Sequence, residues 1–270
     1  LPVNPVGSRK SLIVTADDFG YSNSVNEAVI RAYRDGILRY ASLMVDRPGA
    51  CEAARLAKQN PGLGVGLHLE LCASSPAVWG ARYFFSPSQR ARIEPEISRQ
   101  FDKFASLGLK PTHVDGHLNI HVHPVIFPKL CRLARERGVR RVRLPGGEAP
   151  LCLAYGGSGR LAQAGVAAVF GALRAWLKGR AGGLRVPESA FGLLRSGRMS
   201  EDYLVWLIER LPEGETEIYL HPSADPGSAV TDRPTAIHQT VTEFRGLISP
   251  RVRSALQRSG AALAQEAGAA

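Results

Sequence analysis

S-L-I-V-T-A-D-D-F-G-Y-S, residues 11–22, is an apolar run that ends in two consecutive aspartates. A short apolar run bounded by turn residues is typical of a buried strand. Apolar residues then recur at helical spacing from Val25 to Tyr33, and Gly36 is placed to end that helix. Ser24 with Glu27 predicts a capping box at the start of the helix. The stretch therefore predicts a strand–helix unit with two carboxylates where the strand ends.

The same alternation of an apolar run and a helix-like stretch recurs along the chain. Further strands are predicted at 41–45, 63–71, 112–117, 142–144 and 217–221. Further helices are predicted from 48 to about 60 and over 95–108, 124–137 and 200–210. Repeated βα units predict a parallel sheet, and a chain of 270 residues can bury one sizeable core. We expect an α/β fold, a TIM-like (β/α) barrel that is distorted or incomplete, as one domain over 1–270.

The segment 149–187 is unusual because it holds five basic residues and no acidic one. Seven of its apolar side chains fall at helical spacing. They are Leu161, Val166, Val169, Phe170, Leu173, Trp176 and Leu177. This basic amphipathic insertion either packs its apolar stripe on the barrel or forms a lid or membrane-surface helix, with 158–180 touching the bilayer.

Composition restricts the partners and the compartment. The net charge of +10 admits an anionic partner. The basic residues are scattered on helix faces, however, and no RNA-binding or helix-turn-helix signature accompanies them, so we expect no nucleic-acid partner. The four cysteines form no C-x-x-C pair, and residues 1–10 lack the pattern of a signal peptide. We expect reduced thiols in a cytoplasmic protein, peripheral at the inner face of the membrane if the insertion binds lipid.

Ionisable side chains stand at the ends of four predicted strands. They are Asp17 and Asp18, His68, Asp115 with His117, and His221. A single such residue is more often a satisfied polar group or a helix cap. Their joint occurrence favours a functional site, because active sites of parallel barrels lie at the C-terminal ends of the strands.

One carboxylate and two imidazoles can hold a divalent metal and still leave positions open for water and substrate. Successive strand residues point to opposite faces, so Asp17 and Asp18 need not share one task. One of them can bind the metal while the other removes a proton from the attacking water. The residues therefore predict hydrolysis.

Four motifs together resemble the YdjC-like carbohydrate deacetylases. They are T-A-D-D-F-G-Y-S at 15–22, G-L-H-L at 66–69, K-P-T-H-V-D-G-H with H-V-H-P at 110–124, and L-H-P at 220–222. They occur in the family's order, and the resemblance is closest to the branch associated with hopanoid biosynthesis. It implies a barrel of the glycoside hydrolase and deacetylase type.

The resemblance also implies roles for single residues. Asp18, His68 and His117 would be the metal ligands, Asp17 the general base and His221 the general acid. Asp115 would orient a ligand histidine or a sugar hydroxyl.

Two further residues are candidates for the same site. His121 stands four residues after His117, a spacing that metal sites of polysaccharide deacetylases use, although three protein ligands suffice. Glu70 is predicted on the same strand face as His68, where it would either bind a sugar hydroxyl or a neighbouring arginine, or take part in proton transfer.

The implied reaction is removal of acetyl from an N-acetylglucosaminyl hopanoid with one divalent ion, zinc or magnesium. The alternatives are a deacetylase of a small chitin-derived oligosaccharide such as diacetylchitobiose, a metal-dependent phosphoesterase, and a non-catalytic protein that binds anionic lipid or nucleic acid.

Overall fold

Strands and helices alternate along most of the chain. The structure is a computed structural model and describes residues 10–72, 75–157, 159–225 and 237–265. The strands are β1 Lys10–Phe19, β2 Tyr40–Leu43, β3 Gly64–Leu69, β4 His113–Gly116, β5 Arg141–Val142, β6 Ser189–Phe191, β7 Gly214–Leu220 and β8 Ala262–Leu263. The helices are α1 Asn23–Asp35, α2 Ala50–Lys58, α3 Pro76–Phe85, α4 Pro87–Ser106, α5 Phe127–Glu136, α6 Ala149–Tyr155, α7 Arg160–Lys178, α8 Glu201–Ile208, α9 Ile237–Ile248 and α10 Pro250–Ser259. A 3₁₀ segment runs over His117–Val122.

The strands form one curled parallel sheet in the order β5-β4-β3-β2-β1-β7-β6, and β8 pairs with the start of β1. The two edge strands approach each other without forming a ladder. Only isolated bridges, Arg141 to Arg185 and Gly146 to Ala190, link these edges within the part of the chain that the structure describes. The fold is therefore an incomplete α/β barrel, and the predicted fold class is confirmed.

Strand β1 is the centre of the core. It pairs with β2 on one side and along seven residues with β7 on the other. Leu12, Ile13 and Val14 are fully buried, although successive side chains point to opposite faces. A strand covered on both faces is expected to be continuously apolar, and this explains why the run at 11–16 was recognisable in the sequence.

The start of α1 differs from the prediction. Its N-cap is Ser22, whose Oγ accepts the N–H of Val25 at 3.3 Å, so the predicted capping box is wrong. The hydroxyl of Ser24 instead lies 2.9 Å from that of Ser223 and accepts the N–H of Asp225 at 2.7 Å. Ser24 thus ties the loop after β7 to α1.

The insertion contains helices α6 and α7. Part of the apolar stripe on α7 packs on the barrel, and part of it is exposed, so each of the two predicted arrangements describes one part of the helix. Leu177 is fully buried at the C-terminal end of α7. Leu161 in the first turn is 91% exposed, and Val169 at the middle of the helix is 58% exposed. Only the last turns of α7 therefore pack on the barrel.

The cysteine thiols and the hydrophobicity of the helices can be compared with the expectations from composition. All four cysteines are free, as predicted. Among the described residues, we find no helix with the length and apolar character needed to cross a bilayer.

Candidate metal centre

A bulge at the end of β1 positions the two aspartates. In the register with β2, Ala16 pairs with Ala41 and Phe19 pairs with Leu43, so three steps on β1 oppose two on β2. Asp18 has a φ of 63°, in the left-handed region that side chains other than glycine rarely adopt. The bulge breaks the simple alternation that the sequence predicts. As a result, both carboxylates are buried beside the same histidine, His68.

Asp18 forms a compact donor group with two histidines. Its Oδ1 lies 3.3 Å from His68 Nε2 and 3.2 Å from His117 Nδ1. Ligand bonds of about 2.1 Å, at angles from 90° to tetrahedral, place neighbouring donor atoms about 3.0 to 3.4 Å apart. The separations and the donor chemistry therefore fit one divalent ion. Strand ends β1 and β3 and the first residue of the 3₁₀ segment provide the three side chains.

Asp115 supports this group from β4. Its Oδ1 lies 2.7 Å from His68 Nδ1, the ring nitrogen opposite the one that faces Asp18. Its Oδ2 accepts the hydroxyl of Ser42 at 2.7 Å, and that hydroxyl also lies 3.1 Å from His113 Nε2. A histidine ligand is commonly oriented by a carboxylate on its second nitrogen. Asp115 therefore lies where a carboxylate could orient His68, and its role stays a prediction.

Arg143, immediately after β5, is the cation at the centre of the buried carboxylates. Its guanidinium donates to both oxygens of Asp17, at 2.8 and 2.9 Å. It also pairs with Asp115 at 2.7 Å and with Glu217 at 2.9 Å. The ring of Tyr219 lies 4.2 Å from the guanidinium carbon. Arg143 is 1% exposed, so three carboxylates share one desolvated cation.

His221 lies on the other side of Asp17. Its Nε2 is 3.6 Å from Asp17 Oδ2. Glu243 on α9 accepts the backbone N–H of His221 at 2.7 Å and that of Met199 at 3.2 Å. The imidazole is therefore held next to Asp17 by a strand end and a buried helix residue.

The charges determine the protonation of the group. Burial alone would lower the pKa of His68, but the carboxylates of Asp115 and Asp17 outweigh it and raise that pKa to about 10. Burial would raise the pKa of Asp17, but Arg143, His68 and His221 together outweigh it and hold the pKa well below its usual range. The Asp17 carboxylate is therefore ionised at neutral pH, and metal binding has to displace a proton from His68.

The last two predicted candidates lie at the margin of the site. His121 Nε2 donates to the carbonyl of Arg143 at 3.0 Å, and burial lowers the pKa of His121 to about 4. His121 is not part of the three-residue donor group. Glu70 forms an ion pair with Arg47 at 2.7 Å, which is the arginine contact that the sequence allowed.

Sequence reasoning missed several residues of the site. Glu217 and Tyr219 alternate with the predicted His221 along E-I-Y-L-H, so the period of two would have placed both of them on the face of His221. Arg143 was visible as a charge within the apolar strand V-R-L. Glu243 gave no signal, because its backbone acceptor role depends on how α9 packs.

The fold and the donor group define a class: an incomplete parallel α/β barrel with a carboxylate–histidine centre at the C-terminal ends of its strands. The chain matches the model of the YdjC-like protein family over residues 11–258 and belongs to that family.

Curated relatives match about half of the chain. The carbohydrate deacetylase of Geobacillus stearothermophilus is 40% identical over 152 residues, which cover 49% of this chain and 57% of that protein. The chitooligosaccharide deacetylase of Serratia marcescens is 36% identical over 147 residues, covering 48% of this chain and 58% of that protein. The chain thus spans less than two thirds of the length of these relatives.

A solved structure from Enterococcus faecalis V583, that of a proposed cellobiose-phosphate cleavage protein, matches with a TM-score of 0.72 and 20% identity. It covers 95% of this chain and 97% of that chain, and it shows the fold alone.

Proposed function

We propose that the protein is a metal-dependent N-deacetylase that hydrolyses the acetamido group of an amino sugar. The observation that carries this proposal is the bulge, at which Asp18 lies against two histidines and the preceding Asp17 lies against an arginine and a third histidine. The names of the curated relatives, carbohydrate and chitooligosaccharide deacetylase, support the same chemistry.

Asp18, His68 and His117 would hold the ion. When bound, a divalent cation polarises the amide carbonyl and acidifies the attacking water. Two imidazoles with one carboxylate suit zinc better than magnesium, which prefers an all-oxygen shell. We therefore infer zinc.

The protein's own residues would move the protons. Asp17 takes a proton from water as the oxygen attacks the acetyl carbon. Arg143 fixes the direction of the Asp17 carboxylate and keeps it ionised. The C–N bond then breaks, and His221 gives a proton to the leaving amine. Free amine and acetate are the products, so one water is consumed for each acetyl group.

The finer proposal is a lipid-linked substrate, an N-acetylglucosaminyl hopanoid, as the resemblance implies. Among the described residues, every large apolar side chain with high exposure lies on α3 or α7. They are Val78, Phe84, Phe85, Leu161, Val166, Val169 and Trp176. Both helices contact the 3₁₀ segment that begins with the candidate ligand His117, and neither contains an acidic residue. A basic, apolar rim next to the site suits an anionic membrane surface.

The competing substrate is a small soluble oligosaccharide such as diacetylchitobiose, which the name of the Serratia relative favours. Acetate release from the hopanoid and from diacetylchitobiose, with added zinc or magnesium, distinguishes the two. Asp17→Asn is the inactive control. Turnover of the hopanoid alone supports the lipid-linked proposal, turnover of the disaccharide alone retains only the chemistry, and turnover of neither contradicts the proposed function.

Membrane docking has a separate test. Because Leu177 is buried, deleting the whole of α7 would disturb the core, and point variants are cleaner. Leu161→Ser with Val169→Ser should reduce sedimentation with anionic vesicles but not alter turnover of a soluble substrate. Gln163→Ser on the same helix is the matched control. Equal sedimentation of all forms would exclude α7 as the contact.

A further inference from the structure

A cleft of about 570 Å³ lies beside the candidate metal centre, at the same end of the sheet. Its lining comes from the loop after β2, the residues that follow β3, helix α3 and the first half of α4. Lining side chains include Arg47, Glu70, Trp79, Gln89, Arg92 and Glu96. Its volume falls within the range of small-molecule sites, about 300 to 1,000 Å³.

The wall of the cleft is connected to the metal centre by two routes. Glu70 follows the candidate ligand His68 by two residues, which is about 7 Å along an extended chain. Arg47, the ion-pair partner of Glu70, lies over the ring of Tyr21 at 4.9 Å. Tyr21 in turn donates its backbone N–H to the carbonyl of Asp18 at 2.9 Å. The wall of the cleft therefore lies within a few residues of the candidate ligands, at the end of the sheet where β1 and β3 end.

The charges of the cleft are largely paired within the protein. Arg47 binds Glu70, and Arg99 binds both Glu96 and Asp46. Because these guanidiniums are engaged, an anionic group such as phosphate would have to compete with existing ion pairs. A neutral ligand does not pay that desolvation cost.

The remaining features match a polyhydroxylated ligand. Trp79 provides an indole ring against which the C–H face of a sugar ring can pack, and Arg82 lies 4.9 Å from the ring centroid. Gln89, Glu96 and Arg92 provide planar amide, carboxylate and guanidinium groups that can exchange hydrogen bonds with hydroxyls. Glu70, which also lines the cleft, is held by Arg47 at its Oε1, and its Oε2 is buried.

We propose that this cleft binds the hydroxyl-rich group glycosidically attached to the amino sugar, either a second sugar ring or a polyol chain. The inference rests on the proposed function for the identity of the sugar in the metal centre. It predicts that the enzyme recognises its substrate beyond the residue that loses acetyl, and that Trp79 determines this preference.

Steady-state kinetics with diacetylchitobiose and N-acetylglucosamine test the proposal. Trp79→Ala should raise the KM for the disaccharide about three- to tenfold, leaving kcat and the KM for the monosaccharide unchanged. Trp206→Ala, which removes a partly buried indole on α8 that does not line the cleft, is the matched control and should change neither KM. An equal effect of Trp79→Ala on both substrates, or none on either, would overturn the proposal.

If the protein releases acetate from neither soluble sugar, the proposal is tested by a binding measurement instead. Calorimetric titration of the two sugars into the wild type and Trp79→Ala then measures binding directly. Tighter binding of the disaccharide that is lost in Trp79→Ala supports the cleft even if acetate is never released. If the wild type binds both sugars equally, or binds neither, the cleft assignment is wrong. Failure of the cleft is thus separate from failure of the deacetylase activity.

Discussion

Asp115 Oδ1 lies 2.7 Å from His68 Nδ1, and the opposite nitrogen of the same ring lies 3.3 Å from Asp18. Asp115 therefore fixes both the orientation and the tautomer that present His68 Nε2 to an ion. Asp115→Asn should weaken metal affinity about 10- to 100-fold without unfolding the protein. Competition with a chromophoric zinc chelator measures this. Ser42→Ala, which removes a neighbour of Asp115 rather than the carboxylate, is the control and should have a smaller effect.

Substitutions of Asp17 and of the candidate ligand histidines should affect metal binding and turnover differently. Asp17→Asn should lower kcat by about 10² to 10⁴ because it removes the proposed base, and it should still bind zinc. His68→Ala and His117→Ala should lose both. The unfolding temperature reports binding independently of activity: removing metal with a chelator should lower it in the wild type and Asp17→Asn, because an ion that binds only the folded state stabilises it. An empty but folded Asp17→Asn protein would reverse the assignment of roles.

Arg143 should be essential for stability as well as for the site. Arg143→Met leaves Asp17, Asp115 and Glu217 buried without their shared cation. Removing one member of a buried ionic group commonly costs about 3 to 5 kcal/mol. Urea denaturation with added chelator measures the loss. Arg99→Met breaks exposed ion pairs, with the Arg99 side chain 46% exposed, and should cost no more than about 1 kcal/mol. Equal losses for the two variants would contradict the central role of Arg143.

Glu148 should make stability depend on pH. It is 2% exposed and accepts the backbone N–H groups of Gly192 and Leu194 at 3.1 Å, but burial outweighs these bonds and raises the pKa of Glu148 from 4.5 to about 7. The folded state holds a proton that the unfolded state has released between these values, so stability falls as pH rises through that window. Above pH 7 the cost is complete, at most about 3 kcal/mol.

Glu148→Gln should lack this loss. Between pH 4 and pH 8 the variant should therefore gain stability relative to the wild type. Urea denaturation of both proteins at several pH values measures this difference in unfolding free energy. A constant difference would show that the pKa of Glu148 is the same in the folded and unfolded states, and would contradict the prediction. Because every other group is common to both proteins, their titrations cancel in the comparison.

The sequence predicted the sheet and most of the donor group because both depend on local periodicity. The run at 11–16 was apolar on both faces, and strand-end positions identified His68, Asp115 and His221. The short strand β6 was missed because three residues of S-A-F carry too little pattern. Helix α3 was missed although Pro76 marks its start.

Other features depend on tertiary packing and could not be read locally. The sharing of Arg143 among three carboxylates requires β1, β4, β5 and β7 to curl towards one another. Leu161 and Leu177 belong to the same apolar stripe of one regular helix. Leu161 is exposed and Leu177 is buried because only the C-terminal end of that helix lies against the barrel. The bulge could not be predicted from the sequence either, because two consecutive aspartates can also occur in a regular strand.

The bulge also constrains how such a centre is gained, lost or transplanted. A register of three residues against two cannot be reached by exchanging side chains, because it changes the length of one strand relative to its neighbour. Deleting one residue between Ala16 and Phe19 would remove one of the two aspartates and restore a regular register in the same step. Conversely, grafting the pair onto a regular barrel strand would turn one carboxylate away from the histidines. The centre therefore depends on two aspartates in a bulged register, and the same pair of residues in a regular strand would not form it.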